Sequence, residues 1–287
     1  MNTEVRTVRY DAQLQIEAYH FLGVMQEFPN HFHEYYVVGF IERGKRWLCC
    51  KGKTYTVEAG DLLLFNPKDS HTCRQVDNRA LDYRCLNIPI EAMGRMAREI
   101  TGREDLPYFT QPVVFRSELA PSLREVHARV MREENDFRKE ELLLFLLEQL
   151  IAEYAGQPEE PGGQALAGEV EAVCAYLERH YAESITLDQL SQVAGLSKYY
   201  LLRSFTKQKG ISPYRYLETV RISRAKELLE QGVLPLDAAL RTGFADQSHF
   251  SNFFKKFIGL TPRQYGAIFA KGREKRPASG GIPSHEA

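Results

Sequence analysis

Two stretches of the sequence repeat each other and decide the fold of its C-terminal part. Residues 187–216 read LDQLSQVAGLSKYYLLRSFTKQKGISPYRY, and residues 236–265 read LDAALRTGFADQSHFSNFFKKFIGLTPRQY. Gly195 aligns with Gly243 at an offset of 48 residues, and after one inserted residue Phe205 aligns with Phe254 at an offset of 49. Each copy predicts a short helix, a turn at the glycine and a second helix, which together form a helix-turn-helix unit.

The residues around each turn support this interpretation. Gly195 and Gly243 provide the backbone freedom that a sharp turn needs, and Ser197 and Asp246 are suitable N-caps for the second helices. Apolar side chains four residues apart predict the buried faces of those helices: Leu201 with Phe205, and Phe250 with Phe254. The outward faces then carry side chains of the kinds that contact phosphates and base edges, namely Lys198, Tyr199, Leu202, Arg203, Lys207, Gln247, Ser248, His249, Ser251, Asn252 and Lys256.

Residues of roughly 166–270 resemble the paired helix-turn-helix domain of the AraC/XylS family of transcription regulators, most closely from Ala239 to Tyr265. The resemblance implies two recognition helices joined by a long helix, here about Pro213–Glu230. At 1.5 Å per residue that helix is roughly 26 Å long, which would place the recognition helices in successive major grooves of DNA. The resemblance also implies contacts to bases from Tyr199, Leu202 and Arg203 in the first unit and from Ser248, His249, Ser251 and Asn252 in the second. Leu202 departs from the polar residue often found there, so we expect methyl contact at that base.

The charge of the chain is divided unevenly between its two parts. The formal net charge is −1, but residues 1–163 carry 20 Lys and Arg against 26 Asp and Glu, whereas residues 164–287 carry 17 against 12. We therefore expect only the C-terminal part to meet a polyanion. A content of 44% apolar and 26% charged residues is ordinary for a globular protein and excludes disordered and fibrous classes.

The N-terminal part predicts short strands for about a hundred residues and amphipathic helices after about Ala92. The predicted fold is therefore α+β and multidomain, with a β-barrel and a helical dimerisation segment before the all-α domain. The apolar run Leu142–Leu147 predicts a helix buried on two sides, either within its domain or against a second subunit. Composition divides the chain into a domain at 1–155, a linker at 156–165 rich in Pro, Gly and Glu, the DNA-binding domain at 166–270 and a disordered tail at 271–287.

The predicted strands resemble the cupin barrel found at the front of many AraC/XylS members. On this resemblance, residues 31–44 form the first cupin motif and residues 60–71 the second. His31 and His33 alternate onto the same face of a strand. With His71 from a neighbouring strand, they could present three imidazoles to one cavity, as a metal site needs.

The catalytic cupin pattern also requires a glutamate a few residues after the second histidine, but this chain has Val37 and Val38 there, and Glu34 would face away. This departure argues against enzymatic chemistry. Three interpretations of the histidines remain open. They line or gate a small-molecule pocket, they bind a divalent metal ion with help from Cys73, or they are structural residues at the mouth of the barrel.

Ligand sites combine aromatic walls with a few placed charges, so further candidates for effector binding are Tyr35, Tyr36, Arg46, Trp47 and Arg84. The five cysteines are an odd number, and two of them are adjacent, which argues against a disulfide framework. The N-terminal stretch is polar, and no apolar run approaches the roughly 18 residues of a membrane span. We therefore expect a reduced, cytoplasmic protein whose cysteines are small buried apolar residues.

The sequence thus predicts a DNA-binding transcription regulator, an activator that responds to a small molecule in its N-terminal barrel. The expected partners are promoter DNA, the effector, RNA polymerase and a second copy of the chain. One alternative is a metal- or redox-responsive regulator that uses His31, His33 and His71. A second is a metal-dependent cupin enzyme that the basic domain places on DNA. The only cofactor considered is a divalent metal at the three histidines.

Overall fold

A computed structural model describes residues 4–134, 136–158 and 167–273, and for residues 271–273 it describes the backbone alone. The N-terminal part contains ten strands: β1 Val5–Asp11, β2 Ile16–Val24, β3 Phe28–His31, β4 Tyr36–Arg43, β5 Arg46–Cys50, β6 Lys53–Val57, β7 Leu62–Phe65, β8 His71–Gln75, β9 Leu81–Ile88 and β10 Val113–Val114. Its helices are α1 Ile90–Thr101, α2 Ala120–Met131 and α3 Phe137–Tyr154.

The ten strands form two sheets. Six strands make one sheet in the order β1-β2-β9-β4-β7-β10, and the second sheet has the order β3-β8-β5-β6. All strand pairs are antiparallel. The predicted β-rich domain is confirmed, but among the described residues no strand pairing joins the two sheets, so hydrogen bonds do not close a single barrel.

The six-stranded sheet is apolar on both faces because it packs against a different layer on each side. In β4, Val38 and Phe40 belong to the cluster that the sheet forms with α1, α2 and α3, whereas Val37 and Ile41 belong to the cluster between the sheets. Successive side chains of a strand point to opposite faces, which explains the continuous apolar run of this strand. The helices therefore cover the outer face, and the inner face is left to enclose a cavity.

Helix α3 carries the apolar run predicted to be buried on two sides. Leu143, Leu146, Leu147 and Leu150 are buried against the sheet and its neighbouring helices. Phe145 lies on another face of α3 and is 55% exposed. The domain core therefore accounts for one side of this helix and leaves an aromatic ring on the other.

The C-terminal part is all helical. Its elements are α4 Ala167–Arg179, α5 Leu187–Ala194, α6 Lys198–Lys209, α7 Pro213–Glu230, α8 Pro235–Arg241, α9 Gln247–Ile258 and α10 Pro262–Arg273. The pairs α5–α6 and α8–α9 are the two predicted helix-turn-helix units, and α7 has the predicted bounds of the connecting helix. Gly195 and Gly243 adopt φ of +63° and +81°, as the turns require.

The predicted caps and core positions are also confirmed. The Ser197 side chain accepts a hydrogen bond from the backbone N–H of Tyr200, and Asp246 accepts one from that of His249. Leu201, Phe205, Phe250 and Phe254 are all fully buried. Sequence periodicity alone was therefore sufficient to orient both second helices.

Parts of the predicted linker and tail lie outside the described residues, namely 159–165 of the linker and 274–287 of the tail. Helix α10 continues through Arg273, beyond the predicted domain end at residue 270. Within the described ranges, no helix is both long and apolar enough to cross a membrane.

Candidate DNA-binding surface and effector pocket

Helix α6 presents the predicted DNA-binding residues of the first unit to solvent. Lys198, Tyr199, Leu202, Arg203 and Lys207 are exposed, and Tyr199 reaches 72%. They surround a buried stripe of Leu201 and Phe205, so the packing of the helix fixes which way they point. At the start of the helix, the Lys198 ammonium lies 2.6 Å from a carboxylate oxygen of Asp188.

Helix α9 does the same in the second unit. Gln247, Ser248, His249, Asn252 and Lys256 are exposed, and Ser251 is half-buried. The His249 ring lies 4.7 Å from the ring of Phe253 and 5.8 Å from that of Phe244, measured between centroids. These two rings hold the imidazole in place at the beginning of the helix.

The N-terminal domain holds the end of each of these helices at equivalent positions of the repeat. Gly210 and Gly259 follow α6 and α9 and align at the offset of 49 residues. The Asn30 amide donates to the Gly210 carbonyl at 2.7 Å, and the Arg6 guanidinium donates to the Gly259 carbonyl at 2.9 Å. Gln26 also donates to the Lys256 carbonyl at 3.1 Å. Both helix-turn-helix units are therefore docked on the N-terminal domain.

A cavity of about 90 Å³ lies between the two sheets. Aromatic and aliphatic side chains make up most of its wall, together with His31, His33 and His71, and Phe257 and Ile258 from the end of α9 also line it. Ligand pockets for drug-sized molecules have volumes of about 300–1,000 Å³. The cavity as it stands therefore fits only a very small ligand, and a larger one requires Phe257 and Ile258 to move.

The three histidines predicted to share a cavity do so. The His31 ring centroid lies 4.7 Å from that of His33 and 4.6 Å from that of His71, and the His33 and His71 centroids are 5.1 Å apart. Burial lowers the pKa of His31 to about 3 and that of His71 to about 4, and burial likewise lowers the pKa of His33 well below its ordinary value. All three imidazoles are therefore neutral at neutral pH.

The other predicted pocket residues divide according to strand alternation. Tyr35 and Arg46 line the cavity, whereas Trp47 and Arg84 do not. Arg46 points inward from β5, so its neighbour Trp47 points outward and is 51% exposed. Arg84 lies on the outer side of the six-stranded sheet, where its guanidinium is 3.4 Å from the Glu42 carboxylate.

Two of the predicted pocket residues, Arg46 and Tyr36, have structural partners, and Tyr36 does not line the cavity. The Arg46 guanidinium is fully buried and donates to the backbone carbonyls of Lys45, Arg79 and Val24. The Tyr36 hydroxyl donates to the Pro107 carbonyl at 2.8 Å, away from the cavity. Arg46 therefore ties loops together at one end of the cavity, which limits what it can offer to a ligand.

The cavity wall also bears on the two chemical alternatives. Val37 lines the cavity where the catalytic cupin pattern has its glutamate. Cys73 lines it as well, and burial raises the pKa of this thiol to about 12. All five cysteines are free. A thiol that stays protonated is a poor nucleophile and a poor metal ligand, so the cavity offers imidazole nitrogens rather than thiolates or carboxylates.

Sequence reasoning missed a buried polar cluster where the two domains meet. The Lys226 ammonium of α7 lies 2.9 Å from the Glu17 carboxylate of β2, and the Tyr265 hydroxyl donates to Glu17 and, at 2.6 Å, to Glu230. Burial alone would lower the pKa of Lys226, but its interactions with Glu17, Tyr35 and Glu230 together outweigh burial and the pKa is raised. Lys226 is therefore charged, and the cluster is an interdomain ion pair.

Sequence reasoning also missed that the end of α9 packs against the cavity, although the repeat contains an indication of this contact. Phe257 and Ile258 align with Gln208 and Lys209 at the offset of 49 residues. The first unit is thus polar where the second is apolar. Because the two units otherwise share their buried positions, this difference indicates that the end of α9 packs against something that the end of α6 does not.

Comparison with known proteins gives matches in both parts of the chain. Residues 14–151 match the AraC-like ligand binding domain, and residues 190–267 match a helix-turn-helix domain. The HTH-type transcriptional regulator YbfI of Bacillus subtilis is 55% identical over 249 residues, which cover 87% of this chain and 90% of that protein. The HTH-type transcriptional activator RhaS of Escherichia coli is 26% identical over 83% of this chain and 87% of its own length.

Solved structures of similar fold include ToxT from Vibrio cholerae O395. Its TM-score is 0.53 at 15% identity, with 89% of this chain and 97% of that chain covered. ToxT from strain SCE256 with a bound unsaturated fatty acid has a TM-score of 0.51 at 17% identity, covering 93% and 96%. At these identities the likeness establishes the fold. The match to the ligand-binding and helix-turn-helix domain models and the 55% identity to YbfI identify the family. The chain therefore belongs to the AraC family of DNA-binding transcriptional regulators, as its sequence predicted, and not to a class of enzymes.

Proposed function

We propose that the protein is a transcription activator whose DNA affinity is set by a small molecule in the cavity between its two sheets. One observation carries this proposal. The same helix, α9, presents His249 and Asn252 to solvent and forms part of the cavity wall with Phe257 and Ile258. A ligand that needs the space of these two side chains therefore competes with the docking of α9.

The coupling follows from differential affinity. A ligand shifts a conformational equilibrium only when it binds one state more tightly than the other. The docked state has a cavity of about 90 Å³, and withdrawal of Phe257 and Ile258 enlarges it. An effector larger than the docked cavity thus binds the undocked state and releases α9 for the major groove.

The DNA-binding residues act in two groups under this proposal. Lys198, Lys207 and Lys256 contact phosphates, and the neutral and guanidinium side chains of α6 and α9 contact base edges. Asn252 and Lys256 border a groove that they form with Gln26 and Glu27 of the N-terminal domain. Docking therefore restricts access to the second half of α9 more than to its first turn.

Promoter recognition can be tested by selecting fragments of genomic DNA bound by the full chain at about 150 mM salt, which suppresses nonspecific phosphate binding. We expect a recurrent bipartite site with half-sites about one helical turn apart. Retention of DNA without any shared sequence, both alone and with cell extract added as a source of effector, would overturn the proposal.

The similarity to RhaS, a transcriptional activator that is 26% identical, supports activation. An activator would bring RNA polymerase to the promoter. The test is transcription in vitro from a selected fragment with purified polymerase. We expect transcript levels to rise when the protein is added together with a cytoplasmic extract containing the effector. A fall in transcript under those conditions would mean that the protein is a repressor.

We further propose that two copies of the chain pair through the exposed face of α3. Phe137 and Phe145 lie about two turns apart on this helix and are both largely exposed. Sedimentation of the full chain should give a dimer. Phe145→Glu should shift it to the monomer, whereas Phe115→Glu, at another exposed aromatic ring, should not. A monomeric wild-type protein at micromolar concentration would contradict the proposal.

A further inference from the structure

The three histidines of the cavity come from different positions in the four-stranded sheet and still converge. His31 ends β3, His71 begins β8 and is paired with His31 in the strand register, and His33 follows two residues after β3. One nitrogen of each imidazole lies within 4.8 Å of those of the other two. Among the described residues, no other set of three or more His, Cys, Asp or Glu side chains is gathered in this way.

Backbone carbonyls fix which nitrogen of two of these rings is free. The Nδ1 atom of His31 lies 2.6 Å from the Pro29 carbonyl, and the Nδ1 atom of His71 lies 3.0 Å from the Asp69 carbonyl. A carbonyl oxygen only accepts hydrogen bonds, so each Nδ1 carries the proton and donates it. The lone pairs of both rings are therefore on Nε2. This arrangement, with the second ring nitrogen hydrogen-bonded to a fixed acceptor, is the one that orients metal-binding histidines in proteins.

The remainder of the cavity wall determines which ion this set suits. The described lining residues include no aspartate or glutamate, and the thiol of Cys73 is not among the gathered ligand atoms. Three imidazoles suit a divalent transition metal, whereas Ca²⁺ and Mg²⁺ require oxygen ligands. Zinc–nitrogen bonds of about 2.0–2.1 Å place tetrahedral ligands about 3.4 Å apart. The nitrogen atoms, which lie within 4.8 Å of one another, would therefore have to approach by up to about 1.4 Å when the ion binds.

Phe257 lies over the same site from the other domain. Its ring centroid is 5.4 Å from that of His31, and the ring lines the cavity from the end of α9. Three protein ligands leave a tetrahedral ion with one open position. Here that position would face a cavity whose wall is mostly aromatic and aliphatic but includes Arg46 and Asn87, and to which the DNA-binding domain contributes Phe257 and Ile258.

We propose that His31, His33 and His71 bind one divalent transition-metal ion, whose open position faces the cavity and takes water or a donor atom of the effector, and whose exchange with solvent is limited by Phe257. The inference rests on the proposed function only in that ion and effector share one cavity. The DNA-binding surface does not depend on it.

The first test is titration of the tag-free full chain with Co²⁺, followed by its visible absorption and by calorimetry. We expect one equivalent of Co²⁺ to bind and to give the visible absorption spectrum of tetrahedral cobalt. His71→Ala should weaken binding at least 100-fold, and His33→Ala provides a second variant if the first does not fold, as judged by circular dichroism. The matched control is His180→Ala, which removes a half-buried histidine that directly follows α4, lies outside the cavity and is paired with Glu183. Failure of the folded wild-type protein to bind one equivalent would overturn the proposal. So would folded His71 and His33 variants that bind Co²⁺ as tightly as the wild type.

The second test addresses Phe257. Phe257→Ala should leave the stoichiometry at one and accelerate transfer of Co²⁺ to an excess of chelator at least tenfold, because the ring no longer covers the exit. Phe253→Ala, at a neighbouring ring on α9 that does not line the cavity, should leave the rate unchanged. Equal transfer rates in the two variants would contradict the role of Phe257. DNA selection with the wild-type protein separates the outcomes. A wild-type protein that binds no metal ion but still selects a bipartite site overturns this inference and leaves the proposed function standing.

Discussion

The ring centroid of Phe257 in α9 lies 5.4 Å from that of His31 in the N-terminal sheet, and the same helix exposes Asn252 to solvent. Interfaces between domains in one chain often resemble transient interfaces, and relative motion is their default. Here, however, the apolar cluster of the second helix-turn-helix unit is continuous with that between the two sheets. The cavity and the DNA-binding surface are thus mechanically linked.

Arg203 should contribute more to DNA affinity than an arginine remote from α6. If Arg203 pairs with guanine, Arg203→Ala should weaken binding to the selected site by about 1–3 kcal/mol. The measurement is fluorescence anisotropy of labelled fragments at fixed salt. Arg138→Ala, at an exposed arginine of α3, is the control. Undiminished affinity of the Arg203 variant would remove this residue from the set of base contacts.

Lys226→Met should separate the two domains. The substitution leaves the buried carboxylate of Glu17 without its cation, and breaking a buried pair in this way costs about 3–5 kcal/mol. Undocking exposes Glu17 to water and avoids that cost. We therefore expect a larger radius of gyration in small-angle X-ray scattering.

Two controls accompany this change. Lys255→Met, at an exposed lysine of α9, should leave the scattering unchanged. The double variant Glu17→Gln/Lys226→Met should restore a compact chain because it removes the buried charge of Glu17 with that of Lys226, while the remaining carboxylate, Glu230, is 34% exposed and keeps Tyr265 as a partner. A compact Lys226→Met single variant would mean that the ion pair does not hold the domains together.

The two turn glycines should respond differently to the same substitution. Both have positive φ, but a Cβ at Gly243 would lie 2.7 Å from the Ala182 carbonyl oxygen, whereas nothing lies within 4 Å of one at Gly195. Gly195→Ala should cost about 1 kcal/mol for the left-handed backbone, and Gly243→Ala should cost at least about 1 kcal/mol more because the chain has to shift. Urea unfolding of both variants tests this prediction, and equal costs would contradict it.

His127 should make the N-terminal domain sensitive to acid. Burial lowers its pKa to about 4 from an ordinary 6.5, its Nε2 lies 2.9 Å from the Tyr19 carbonyl, and within the described structure its Nδ1 has no partner. The unfolded chain therefore binds the proton more readily than the folded one. The corresponding stability is fully present above about pH 6.5 and is lost as the pH falls from 6.5 towards 4, by up to about 1.4 kcal/mol per pH unit.

The check is the urea midpoint at about pH 7.5 and 5.5 for the wild type and for His127→Gln, which keeps an N–H donor for the Tyr19 carbonyl. The drop in stability on acidification should be smaller in the variant. His180→Gln, at a half-buried histidine outside the N-terminal domain, should behave as the wild type. An unchanged drop in the His127 variant would assign the acid sensitivity to other groups.

The features that the sequence predicted well are those set by neighbours along the chain. The caps at Ser197 and Asp246, the turns at Gly195 and Gly243 and the bounds of α7 each depend on a few adjacent residues. The convergence of the three histidines was predicted, but only partly for the right reason: His31 pairs with His71 in the strand register, whereas His33 lies beyond the end of β3 and does not alternate within it.

The features that were missed depend on which surfaces meet. Glu17 and Lys226 are 209 residues apart, and neither neighbourhood signals a partner. Trp47 was expected in the pocket because its residue type suits a ligand, but the register of β5 directs Arg46 inward and Trp47 outward. A shift of one residue inverts such an assignment, and no periodicity within five residues could decide between the two.

The polar end of α6 and the apolar end of α9 place the two repeats under different constraints. Gln208 and Lys209 can vary with little consequence for the cavity wall, whereas Phe257 and Ile258 complete it. Related regulators that acquire new promoters should therefore change α6 more freely than α9. A genetic screen for variants that no longer require the effector should, for the same reason, return substitutions at the end of α9, and these would be mistaken for changes in base recognition.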